Sequence, residues 1–136
     1  MRGRFVSTPT VFIVDDEPVV RVSLEALISS MGFVTEAFPS ATEFLAALND
    51  LTSPGKCILA DLRMPGMGGV ELKKALAARN CHIPVILMTG LTTEEIDSQH
   101  ASLGIFAVIQ KPCHPNKLQR IIRDAIQSNA IPESEC

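Results

Sequence analysis

Three aspartates, a threonine and a lysine stand at the ends of short apolar runs of the chain. Asp15 and Asp16 follow VFIV, Asp61 follows CILA, Thr89 follows VILM and Lys111 follows IFAVIQ. Three carboxylates drawn close together repel one another and raise one another's pKa. A Mg²⁺ ion removes that conflict, since it takes oxygen ligands from carboxylates, water and phosphate. These residue types therefore predict a Mg²⁺ site that handles phosphate, if the fold brings them together.

Asp61 is the residue that we expect to react. The sequence has neither a glycine-rich phosphate loop nor a nucleotide-binding motif, so something else must hold the phosphate. Asp61 meets that need if its carboxylate becomes the phosphoryl acceptor. Lys111 and Mg²⁺ would then neutralise the phosphoryl oxygens, and the Thr89 hydroxyl would donate to one of them. The loop that follows, MPGMGG, suits a tight and exposed turn.

The elements that must position these residues alternate along the chain. Short apolar runs predict five strands buried on both faces, at residues 11–14, 33–38, 57–60, 85–88 and 105–109. Amphipathic patterns predict helices at about residues 20–31, 40–48, 70–79, 92–103 and from 115 onward. Five β–α units in succession predict a parallel sheet with helices on both faces, a flavodoxin-like α/β fold.

The strand order decides whether the acids meet. If the order is 2-1-3-4-5, strands one and three are neighbours at the topological switch point, where such sheets bind ligands. Asp15, Asp16 and Asp61 then converge in one crevice. Lys111 must turn back over that crevice directly after its strand, so we also predict a cis peptide bond between Lys111 and Pro112.

Length and charge limit the organisation and the partners. The 136 residues suit one domain, which we place at residues 10–128, with a flexible extension at 1–9 and a flexible tail or linker start at 129–136. A net charge of −3 gives no electrostatic footprint for nucleic acid or an anionic membrane. The sequence shows no signal-peptide pattern and no apolar run of membrane-spanning length, so we expect a cytoplasmic protein.

Four segments together resemble the receiver domain of two-component response regulators. They are VFIVDDEP, DLRMPGMGG, MTG and QKP, and they occur in order and at family-like spacing across about residues 10–128. The resemblance implies that Asp61 is the phosphoacceptor and that Asp16 binds Mg²⁺ directly, with Asp15 acting through water. It also implies a Mg²⁺ contact from the Arg63 backbone carbonyl, a switch at Thr89 and Gly90, and a phosphate contact from Lys111.

The resemblance also implies partners. The phosphoryl group would come from a sensor histidine kinase. The segment IVDDEPVVRVSLEALISSMGF looks most like receivers that precede a helix-turn-helix output domain, which would lie outside this chain. A phosphorylation-dependent homodimer would form through the fourth helix, fifth strand and fifth helix. The domain itself would contact neither nucleic acid nor membrane, and it would be no enzyme beyond gaining phosphate from small donors and losing it again.

Two features qualify this comparison. Receivers commonly carry Tyr or Phe three residues before the lysine, where this chain has Val108; Phe106 lies on the same face, two residues earlier, and does not simply replace it. By resemblance, the side chains of Arg63 and Leu91 overhang the water approach to the phosphorus. Since neither can orient an attacking water, we expect slow self-dephosphorylation.

Three other functions remain as alternatives. The first is a stand-alone receiver that acts through protein–protein contacts. The second is a Mg²⁺-dependent phosphatase of the haloacid dehalogenase type, which needs an acid two residues after the nucleophile, where this chain has Arg63. The third is a flavodoxin-like FMN binder, which needs a hydroxyl- and glycine-rich loop after strand one. This chain has Asp15, Asp16 and Glu17 there, and these acids would repel phosphate.

Overall fold

The computed structural model describes residues 9–48, 56–90 and 104–128. The described elements, in chain order, are β1 (Thr10–Val14), α1 (Pro18–Ser30), β2 (Val34–Phe38), α2 (Ala41–Ala47), β3 (Cys57–Asp61), α3 (Gly69–Ala78), β4 (Val85–Thr89), β5 (Ala107–Gln110) and α4 (Pro115–Ser128). All five predicted strands are present, with bounds that shift by one or two residues. Four predicted helices are present as well, and the segment predicted to be helical at 92–103 lies outside the described residues.

The five strands form one parallel sheet in the order β2-β1-β3-β4-β5. Val14 of β1 lies opposite Ala60 of β3, and Asp61 lies opposite Met88 of β4. Both the predicted strand order and the doubly wound fold are therefore confirmed. Because all strands run in the same direction, their carboxyl ends share one edge of the sheet, and the connections that leave this edge carry the polar residues.

Burial separates the central strands from the edge strands. Every residue of β1 and β4 is buried, whereas Val34 at the start of β2 is 46% exposed. Two-face burial, predicted for all five strands, is wrong for β2 and β5. Each edge strand has a neighbour on one side alone, and the helices do not fully cover it.

The sheet has a packed layer of side chains on each face. On one face, Phe12 packs against Phe44 of α2, with ring centroids 5.4 Å apart, and Leu72 of α3 joins the same cluster. On the other face, Ile13 packs with residues of α1 and α4. Successive strand residues point to opposite faces, so the continuous apolar runs fill both layers at once.

Local hydrogen bonds define where two of the helices begin. The Ser40 hydroxyl accepts the Glu43 backbone N–H at 3.1 Å and so caps the start of α2. The Glu71 carboxylate accepts the Gly68 backbone N–H at 3.1 Å before α3. None of the helices in the described part of the chain combines the length and the apolar character needed to span a bilayer.

Candidate functional site

Three aspartates lie together where β1 and β3 end. Asp61 is the last residue of β3, and Asp15 and Asp16 follow β1, its neighbour in the sheet. One carboxylate oxygen from each of the three lies within 4.8 Å of the other two. The structure thus brings together the three acids that the sequence predicted to converge.

Asp15 is the most deeply placed member of this acid cluster, which consists of Asp15, Asp16 and Asp61. Only 2% of Asp15 is exposed, and burial raises the pKa of its carboxyl above the ordinary value. The negative charges of Asp61 and Asp16 raise that pKa further, whereas the Glu17 N–H and the Lys111 ammonium act against the rise. When its carboxyls are ionised, the acid cluster therefore carries more negative charge than the nearby cation balances.

Lys111 supplies a cation to this acid cluster. Its Nζ lies 3.5 Å from Asp61 Oδ1 and 3.9 Å from Asp15 Oδ2. Its backbone N–H donates to the Thr89 carbonyl at 2.7 Å, which ties the lysine to the end of β4. The Lys111–Pro112 peptide bond is cis, as predicted. One ammonium group thus faces two carboxylates.

The composition of the site fits a divalent cation. Three carboxylates and one ammonium leave an excess of negative charge, and every side-chain donor of the acid cluster is an oxygen. Hard cations such as Mg²⁺ and Ca²⁺ prefer oxygen ligands of this kind. The acid cluster could therefore hold a metal ion.

Thr89 and Gly90 stand beside the acid cluster at the end of β4. Thr89 is the last residue of the strand and is 3% exposed, one position beyond Met88, the residue opposite Asp61. Gly90 is exposed, and among the described residues no atom beyond its chain neighbours lies within 4 Å of a Cβ built on it. The buried threonine is therefore followed by a residue that the described part of the chain does not crowd.

The loop after Asp61 folds back tightly against its own strand. The Leu62 N–H donates to the Met88 carbonyl at 2.8 Å, and the Gly69 N–H donates to the Leu62 carbonyl at 3.1 Å. A Cβ on Gly68 would lie 2.5 Å from the Leu62 carbonyl oxygen, and one on Gly69 would collide with the Leu87 side chain. The close approach at these two glycines lets the loop fold directly against the end of β3, beside Asp61.

Arg63 lies in this loop, two residues after Asp61, and its side chain is exposed. The position therefore offers no acid that could protonate a leaving group, which disfavours the phosphatase alternative. Leu91, the other residue predicted to overhang the site, lies outside the described residues.

Val108 and Phe106, which the sequence predicts to share a switch face of the domain, differ in environment. Val108 of β5 is half-buried and packs against the cluster that contains Phe12 and Phe44. Phe106, directly before β5, is 39% exposed, and its backbone N–H donates to the Val85 carbonyl at 2.9 Å. The aromatic side chain therefore lies at the surface, apart from the position that the half-buried Val108 occupies.

Two contacts at the site were missed by sequence reasoning. The Arg21 guanidinium donates from Nη1 to the Asp15 backbone carbonyl at 2.7 Å. The Glu17 backbone N–H donates to Asp15 Oδ1 at 2.9 Å. The sequence signal was weak, since an arginine in the first turn of an amphipathic helix is usually solvated.

The fold and the acid cluster define a flavodoxin-like α/β domain with a metal-competent site at its topological switch point. Residues 11–123 match the family model described as the response regulator receiver domain. The chain belongs to that family.

Relatives and solved structures agree with this assignment. The transcriptional regulatory protein FixJ of Bradyrhizobium diazoefficiens is 33% identical over 126 residues, which cover 92% of this chain and 60% of FixJ. The transcriptional regulatory protein TdiR of Thauera aromatica is 33% identical over 120 residues, which cover 88% of this chain and 52% of TdiR. The crystal structure of FixJ-N superposes with a TM-score of 0.81 at 34% identity, covering 90% of this chain and 96% of that one.

The chain is thus a two-component receiver domain, related to transcriptional regulators such as FixJ. It spans 60% of the length of FixJ and 52% of the length of TdiR. Receiver domains of transcriptional response regulators are generally not enzymes, and they generally take phosphate from a histidine kinase. The acid cluster is consistent with a phosphoacceptor and Mg²⁺ site.

Proposed function

We propose that this receiver domain accepts a phosphoryl group on Asp61 from a sensor histidine kinase and thereby changes a protein-interaction face. The observation that carries the proposal is the 3.5 Å approach of Lys111 Nζ to Asp61 Oδ1, beside the carboxylates of Asp15 and Asp16. A carboxylate held at the edge of the sheet beside an ammonium group is suited to attack phosphorus and then to remain as an acyl phosphate.

The transfer is a single displacement at phosphorus. An oxygen of Asp61 forms the new P–O bond while the P–N bond of the phosphohistidine breaks, and the imidazole leaves with the electron pair. The Lys111 ammonium neutralises charge on the phosphoryl oxygens, and the Thr89 hydroxyl donates to one of them. Gly90, next to Thr89, carries no side chain that could crowd this group.

The acid cluster would hold Mg²⁺ for this reaction. Asp16 and Asp61 would bind through their carboxylates, the Arg63 backbone carbonyl would add a third ligand, and Asp15 would act through water. When bound, Mg²⁺ supplies positive charge to the phosphoryl oxygens. Asp15 and Asp16 would limit where the phosphoryl group can lie once it is attached to Asp61.

We assign residues 10–128 to the receiver domain and propose that a DNA-binding output domain completes the protein. The support is that FixJ and TdiR are transcriptional regulatory proteins and that this chain spans 60% and 52% of their lengths. The alternative is a stand-alone receiver that acts through protein–protein contacts. A native reading frame that continues past Cys136 into a basic helix-turn-helix supports the first arrangement, and a stop codon there supports the second.

Acetyl phosphate labelling tests the function directly. Intact-mass spectrometry after incubation with acetyl phosphate and Mg²⁺ should show one added phosphoryl group. The label should be suppressed by EDTA and absent from Asp61→Asn. The matched control is Asp124→Asn, which changes an exposed acid on α4 and should label like the parent. Full labelling of Asp61→Asn, or repeated turnover of p-nitrophenyl phosphate by the parent, would contradict the proposal.

A further inference from the structure

Arg21 closes a ring of hydrogen bonds between the end of β1 and the start of α1. Its Nη1 donates to the Asp15 carbonyl at 2.7 Å, and its backbone N–H donates to the Glu17 carbonyl at 2.9 Å. The Glu17 N–H in turn donates to Asp15 Oδ1 at 2.9 Å. The ring therefore ties both the backbone and the carboxylate of Asp15 to the first turn of α1.

The other side of Asp15 is held by the sheet. Its backbone N–H donates to the Phe38 carbonyl at 3.2 Å, at the end of β2. With Arg21 on its carbonyl, Asp15 is fixed at both backbone groups. Because the peptide unit is planar, fixing the Asp15 carbonyl also fixes the N–H of Asp16 and the point from which its side chain starts. Arg21 thus helps to fix the backbone from which two of the three carboxylates extend.

The guanidinium suits this task better than other side chains. Arginine stays protonated at all relevant pH values, and its planar group donates in a fixed direction. Arg21 is half-buried, so its contact with the Asp15 carbonyl is screened less than one at the open surface. The side chain therefore holds the Asp15 carbonyl through a directed hydrogen bond.

We infer that Arg21 is a positioning residue for the metal site, an inference that rests on the proposed function. Arg21 contacts Asp15 through the carbonyl and not through the carboxylate, so it leaves the acidic oxygens available to the ion. Its loss frees the Asp15–Asp16 peptide to turn and spreads the two carboxylates over several directions. Outer-shell partners of metal ligands commonly change metal affinity by about 10–100-fold when removed.

Calorimetric titration with Mg²⁺ alone, without a phosphodonor, tests the inference on the full chain. We expect Arg21→Met to bind Mg²⁺ about tenfold or more weakly than the parent. Arg21→Lys should recover part of the lost affinity, since an ammonium can still donate to the Asp15 carbonyl. In NMR spectra, the Glu17 amide resonance should shift in Arg21→Met before any Mg²⁺ is added.

Two control variants separate positioning from general stability. Arg120→Met removes an exposed arginine of α4, and Ile28→Val trims a fully buried side chain of α1 far from the acids along the helix. Both should keep the parent's Mg²⁺ affinity, although Ile28→Val lowers the unfolding midpoint. If Arg21→Met binds Mg²⁺ as tightly as the parent, or if Ile28→Val loses as much affinity, the inference about Arg21 fails while the proposed metal site stands. A parent that binds no Mg²⁺ overturns the proposed metal site as well.

Discussion

Lys111 Nζ lies 3.5 Å from Asp61 Oδ1, although the two residues are 50 positions apart in the sequence. The lysine is anchored through its backbone N–H on the Thr89 carbonyl of β4, and its ammonium reaches across to β3. The same ammonium is 3.9 Å from Asp15 Oδ2. A cation so placed lies beside the oxygen that we expect to carry the phosphoryl group.

Replacement of Lys111 by Met should slow phosphorylation without abolishing it. The methionine keeps most of the length of the side chain but removes the charge that stabilises the developing phosphoryl oxygens. Loss of one such group typically costs about 10²–10³ in rate. The rate of labelling by acetyl phosphate at saturating Mg²⁺ measures the effect. Lys117→Met, which changes an exposed lysine of α4, is the control and should label at the parent's rate. Equal rates in the two variants would remove Lys111 from the mechanism.

Asp15→Asn should stabilise the protein at pH 7 in the presence of EDTA. Burial raises the pKa of Asp15, so the folded state carries its ionised carboxylate at a cost in free energy. The asparagine side-chain oxygen can still accept the Glu17 N–H. Stabilising substitutions of this size commonly add about 0.5–2 kcal/mol to the free energy of unfolding. Urea unfolding measures this change in the free energy of unfolding, and Asp124→Asn is the control.

The stabilisation expected for Asp15→Asn should change with pH in one direction. A carboxyl whose pKa is raised on folding contributes stability that is fully present below its unfolded value, 3.8, and is lost as the pH rises through the folded value. The advantage of Asp15→Asn should therefore be smallest at low pH and grow with increasing pH across that window. An advantage that shrinks from pH 4 to pH 7 would contradict the burial argument.

The lifetime of the phosphoprotein should depend on Arg63 and Leu91. Hydrolysis needs a water in line with the phosphorus, opposite Asp61. The Arg63 side chain is exposed in the loop after Asp61, and Leu91 lies outside the described residues. We propose that both shield the phosphoryl group, so Arg63→Asn and Leu91→Glu should lose phosphate faster than the parent. Intact-mass spectrometry measures how fast the labelled protein loses its phosphate. If both variants lose it at the parent's rate, the shielding proposal is refuted.

Phosphorylation should strengthen a homodimer through the face that contains Phe106. This side chain is 39% exposed beside β5, and burying an aromatic ring favours association. Sedimentation velocity with and without beryllofluoride, which mimics the phosphoryl group, measures the change. Phe106→Ala should weaken the dimer, whereas Val22→Ala, at a position of α1 that is 62% exposed, should not. A monomer under both conditions would count against this interface.

The sequence by itself determined the elements and their order. Apolar runs bounded by turn residues are local signals, so β1, β3 and β4 were predicted to within one residue at each end. Succession of β–α units then restricts the topology to a doubly wound sheet, because such crossovers are right-handed. Asp15, Asp16 and Asp61 stand directly after the predicted strands, so their meeting followed once the order 2-1-3-4-5 made strands one and three neighbours.

Only the tertiary structure decided how the site is held. The contact of Lys111 with two acids, and that of Arg21 with the Asp15 carbonyl, depend on side-chain directions that no local pattern specifies. Gly68 and Gly69 read as generic turn residues in the sequence, whereas in the fold the Leu62 carbonyl and the Leu87 side chain exclude a Cβ there. Edge exposure of β2 likewise follows from its single neighbour. Periodicity is a property of a segment, but charge balance and close approach arise between segments, so they exist only once the chain has folded.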